Sequence, residues 1–68
     1  MPRNQITLFW KEIDLIQQRH ASFFSPGQRD FITIKKIDNV YTLEFSEGYN
    51  LSTNITLEIQ LAFKLTMT

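Results

Sequence analysis

Asn54-Ile55-Thr56-Leu57-Glu58-Ile59-Gln60-Leu61-Ala62-Phe63-Lys64-Leu65-Thr66-Met67 alternates apolar and other residues from Ile55 to its end. In an extended chain, successive side chains point to opposite faces. The alternation therefore predicts a strand over 55–67, with Ile55, Leu57, Ile59, Leu61, Phe63, Leu65 and Met67 on one buried face. At about 3.3 Å per residue such a strand reaches roughly 43 Å. A compact chain of 68 residues has a radius of gyration near 11 Å, hence a diameter of roughly 28 Å. A strand of that length must bend, bulge or lend part of itself to a partner. A competing reading makes 52–65 a helix capped by Ser52. It buries Ile55, Ile59 and Ala62 but scatters Leu57, Leu61 and Leu65, so the strand is preferred.

Upstream, Ile6, Phe9, Ile13, Ile16, His20 and Phe23 recur at spacings of three and four. That is one face of a helix. Asn4 is suited to cap it, because its side chain accepts from the free N–H groups of the first turn. Ser25-Pro26-Gly27 stops it, since Pro removes a ladder donor and Gly turns cheaply. A helix over about 5–23 follows. Leu8 and Leu15 land on its far, polar side. They form either a second contact ridge or two singly exposed leucines.

Residues 31–37 and 40–46 read as a hairpin about Asp38-Asn39, both tolerant of the positive φ of a type I′ turn. This turn pairs Ile37 with Val40, Lys36 with Tyr41, Ile34 with Leu43 and Ile32 with Phe45. Ile32, Ile34, Tyr41, Leu43 and Phe45 then share a face, so turn chemistry and alternation agree. With the third strand, the expected fold is α+β. One N-terminal amphipathic helix packs on a three-stranded antiparallel meander, in the order α-β-β-β.

Sixty-eight residues suggest one domain, and a core that small is marginal. Small domains gain stability from disulfides, metals or partner subunits. Cysteine is absent and there is one histidine, which leaves oligomerisation as the expected source. No run of 18 apolar residues exists, so no membrane span is expected. The N-terminus lacks the pattern of a signal peptide, and the cytoplasm is the default compartment. Asn50-Leu51-Ser52 and Asn54-Ile55-Thr56 match the glycosylation sequon and are read as chance.

Catalysis finds little to work with. His20 sits on the apolar stripe and reads as a core-edge histidine rather than a base. No nucleophile elbow, phosphate loop, dinucleotide fingerprint or metalloprotease motif is present. The chain is read as non-enzymatic, without cofactor or metal. Net charge is zero, yet residues 1–36 carry six bases against three acids, and 37–68 one base against four acids. Arg19, Arg29, Lys35 and Lys36 are thus candidate phosphate contacts, with Phe31, Tyr41 or Tyr49 able to stack bases. Against nucleic acid stands the neutral total.

Protein association accounts for more: the long apolar alternation, the Leu8/Leu15 pair and nine aromatic residues in a short chain. The expected function is a small macromolecule-binding or regulatory module, homodimeric through shared ends of the 55–67 strand. A foreign protein adding to the strand edge is the other form of association. The expected interface residues are Leu57, Leu61 and Leu65, with Leu8 and Leu15 as a second patch.

Overall fold

The computed structural model describes residues 4–67; Arg3, one of the bases counted above, lies outside them. Helix α1 spans Gln5–Arg19, a 3-10 helix spans Pro26–Phe31, strands β1 and β2 span Ile32–Ile37 and Val40–Phe45, and helix α2 spans Thr53–Met67. The fold is α+β, but the order is helix, hairpin, helix, and the sheet has two strands. The three-stranded meander and the α-β-β-β order are corrected accordingly.

α1 starts where the sequence places it. Asn4 is extended, and its side-chain oxygen accepts from the Ile6 and Thr7 N–H groups. Phe9, Ile13 and Ile16 are buried as the spacing requires. The helix ends at Arg19, four residues earlier than expected, with His20 as its C-cap. The chain then turns, so Phe24 enters the core while Phe23, assigned to the buried stripe, stays exposed.

The hairpin has the expected register from Ile32↔Phe45 through Ile37↔Val40. Asp38 and Asn39 both have positive φ, 51° and 65°, as a type I′ turn demands. Ser46 N–H donates to the Phe31 carbonyl at 2.8 Å, extending the ladder by one bond. After β2 the chain turns at Gly48, whose φ of 101° is a left-handed conformation costly for any residue with a side chain. A Cβ there would also lie 2.8 Å from the Phe31 ring.

The decisive correction concerns 55–67, which is helical rather than extended. Ser52 caps it: Ile55 N–H donates to Ser52 Oγ, and Thr56 N–H to the Ser52 carbonyl. Leu, Glu, Gln, Ala and Lys dominate 57–65, and all but Ala among these follow it closely as strong helix formers. Fifteen residues of helix measure about 22 Å, which fits a molecule 35 Å in its longest extent; a strand of roughly 43 Å would not. The length paradox is solved by coiling, and the homodimer imagined through shared strand ends falls with it.

α1 and α2 pack on each other, and α2 reaches β2. Between them lies a core of Phe9, Ile13, Ile16, Phe24, Ile32, Ile55, Ile59, Ala62 and Met67. The hairpin face carrying Ile34, Tyr41, Leu43 and Phe45 packs against that core.

Candidate interaction surface

An apolar residue at every second position has a particular consequence on a helix. Residues four apart share a ridge, so the alternation makes two ridges, Ile55-Ile59-Phe63-Met67 and Leu57-Leu61-Leu65. At 100° per residue they lie on roughly opposite sides of α2. The core takes the first: Ile55, Ile59 and Met67 are buried, and Phe63 packs partly buried against them. The second faces out, with Leu57, Leu61 and Leu65 exposed by 57%, 56% and 74%.

Two grooves flank this outer ridge. The larger, about 680 Å³, runs between β2 and α2; its walls include Tyr41, Leu43 and Phe45 opposite Leu57, Leu61 and Lys64. The smaller, about 100 Å³, lies toward α1, between Glu12, Ile16 and Arg19 and the side chains of Glu58, Leu61 and Leu65. Leu61 borders both. Leu15 is exposed on α1 and Leu8 is half-buried. Neither lines these grooves, so the structure does not join them to the α2 leucines.

Glu58 ties the two helices together beside this ridge. Its Oε1 accepts from Arg19 at 2.6 Å, and its Oε2 from His20 Nε2 at 2.5 Å. The His20 bond, followed by Arg19, holds the Glu58 carboxyl below the usual glutamate range against a partial opposing effect of burial. A carboxylate with a lowered folded pKa stabilises above its unfolded value of about 4.3, and that stability is lost as pH falls through the folded value. The melting temperature of the native chain is therefore expected to fall in acid below about pH 4. Glu58→Gln is expected to flatten that decline, and to lower neutral-pH stability by about 0.5–1 kcal/mol, as for exposed ion pairs. Thermal melts from pH 3 to 7 check both; identical pH profiles for the two proteins would contradict the assignment. His20 joins the two helices through a carboxylate 38 positions away, rather than being met by backbone or water.

The four candidate phosphate-binding cations are dispersed and engaged. Arg19 bonds Glu58, Arg29 bonds Asp14 at 2.5 Å and lies over the Trp10 ring, and Lys35 pairs with Glu44. Lys36 sits 5.3 Å over the Tyr41 ring centroid. Two of these contacts, Arg19–Glu58 and Lys35–Glu44, join the basic half of the sequence to the acidic half. The charge asymmetry is thereby partly cancelled within the fold. Tyr49 stacks on Phe45 at 4.3 Å and hydrogen-bonds Thr56, and burial pushes its hydroxyl pKa up. It is occupied in holding the β2–α2 connection.

No family model, curated protein or solved structure matches this chain. Among the described residues no group of His, Asp or Glu is arranged to hold a metal ion, and no helix is long and apolar enough to cross a membrane.

Proposed function

We propose that this chain is a small non-enzymatic protein-interaction module, homodimeric, that binds through the outer ridge of α2. One observation carries the reading: α2 has two apolar ridges, and the core consumes one. An isolated exposed leucine needs no explanation. Three in consecutive turns, beside an apolar groove, form the kind of contiguous patch that marks association. A helix presenting i, i+4 and i+8 anchors also matches the ridge geometry by which helices pack.

Protein association is better supported than phosphate binding. Arg19, Arg29 and Lys35 each already hold a carboxylate, and Lys36 covers a ring. Nucleic acid would have to compete with those contacts at four separated places.

The test is Leu61→Lys. Leu61 lies outside the core, so the variant is expected to keep its far-UV circular dichroism. Placing a charge in the centre of an apolar interface is expected to leave the variant at 8.1 kDa while the native chain sediments near 16 kDa, about twice that. A variant that stays dimeric would overturn the assignment of the ridge.

A further inference from the structure

The β2 edge carries the more specific information about what the partner is. Ser46 and Phe31 are joined by a ladder bond, and an antiparallel ladder alternates bonded and non-bonded pairs. With the observed register, Thr33↔Glu44, Lys35↔Thr42 and Ile37↔Val40 are then the bonded pairs. Tyr41, Leu43 and Phe45 occupy the non-bonded positions, so their N–H and C=O groups point away from β1. Among the described residues, none of the backbone bonds formed outside the helices and the hairpin involves them.

Native proteins guard such edges with lysine, proline or a covering element. β1 has that protection in Lys35 and Lys36. β2 has neither Lys nor Pro; its one charge, Glu44, is held by Lys35, and beside it lies the open groove rather than a cover.

We infer that the occupant of this edge is a second copy of the chain, its β2 paired antiparallel with the first across a twofold axis at Leu43. The deduction rests on the self-association proposed above and adds its geometry. Centring on Leu43 matches Leu43 with Leu43, and Tyr41 with Phe45, of the two copies. All three outward-facing pairs then bond, giving about six hydrogen bonds. The same register sets Glu44 opposite Thr42. Centring one residue later would oppose Glu44 to Glu44, and one residue earlier would send Phe45 to the turn residue Asn39. Charge and hydrogen bonding select one register.

The result is a continuous four-stranded sheet. Directly opposed side chains in an antiparallel pair share a face, so both inner faces stay on one side, with Tyr41–Phe45 and Leu43–Leu43 contacts across the axis. The groove walls of the two α2 helices turn toward each other over the new strand pair. The strip from β2 edge to α2 ridge is about 22 Å long and roughly 15–20 Å wide, allowing one sheet-to-helix layer spacing and half a helix. Specific interfaces cover about 800 Å² per partner, a sixth or so of the 4947 Å² this chain exposes. At roughly 330–440 Å² the strip supplies about half of that, so the assembly is expected to be weak and to dissociate on dilution.

Amide hydrogen exchange read residue by residue tests this on the unaltered chain, at concentrations giving the dimer and at strong dilution. Tyr41, Leu43 and Phe45 amides are expected to exchange more slowly in the dimer, by on the order of tenfold or more. Ile34 and Lys36, on the outer edge of β1, are expected to exchange alike at both concentrations. A dimer whose Leu43 amide exchanges as fast as that of Ile34 overturns the β2 pairing and leaves the α2-ridge reading standing. A chain that is monomeric at every concentration overturns both.

Discussion

Phe9→Ala is expected to leave this protein largely unfolded at 37 °C. Phe9 is fully buried and meets the Trp10 and Phe63 rings edge-on, at centroid distances of 5.2 and 6.2 Å. It thereby joins α1 to α2. Truncating a buried phenylalanine costs about 3–5 kcal/mol, part lost transfer energy and part cavity. A chain of this length is expected to have a total stability of about 3–10 kcal/mol. The melting temperature should therefore fall by roughly 12–40 °C, taking 4–8 °C per kcal/mol for a small domain. A shift under about 5 °C in a thermal melt would mean that Phe9 is not the junction described.

Ile59→Lys is expected to abolish cooperative folding, and its contrast with Leu61→Lys is the sharper test of the fold. Ile59 is fully buried, and among the described residues the buried core around it is entirely apolar. An unpaired charge there costs several kcal/mol, on the order of the whole stability. Leu61, two residues on, faces outward, and surface substitutions within a chain usually change its stability by about 0.5 kcal/mol or less. If 55–67 were a strand, both residues would share the buried face and both variants would fail together. Far-UV circular dichroism and urea titration of the pair separate the cases. Two unfolded variants would restore the strand, and two folded ones would remove Ile59 from the core.

Much of this architecture was legible in the sequence, and the part that was not has a physical reason. The hairpin could be read to the residue because two independent signals agree there: Asp38-Asn39 chooses the turn, and the alternation around it chooses the same register. α1 was legible from Asn4 and the Phe9-Ile13-Ile16 spacing. Its end was not, because Phe23 and Phe24 are equally apolar and only the chain's turn after Arg19 selects between them. α2 was misread because strict alternation satisfies two geometries. It is one face of a strand, or two ridges of a helix, and periodicity favours the strand while Ser52 and the helix formers of 57–65 favour the helix. Length decides for the helix, since a strand of roughly 43 Å exceeds every dimension of the molecule.

The same ambiguity explains the candidate site. Leu57, Leu61 and Leu65 were singled out on the strand reading, as assembly surface or core. On the helix they are exposed together, a ridge the core does not use. Leu8 and Leu15 gain no such company. Arg19, Arg29 and Lys35 turned out to be internal partners of Glu58, Asp14 and Glu44, pairings across 39, 15 and 9 positions. Such pairings appear only once the chain has folded. The open β2 edge followed from the hairpin register, but nothing in the sequence showed that it would be left without a third strand.

The most direct measurement is the solution mass of the unaltered chain, by light scattering after size exclusion, over about a hundredfold range of concentration. Mass action requires the fraction of dimer to rise with concentration. The account predicts a mass that climbs from near 8.1 kDa when dilute to about 16 kDa, twice the chain, when concentrated. A mass fixed at 8.1 kDa across the range would contradict it.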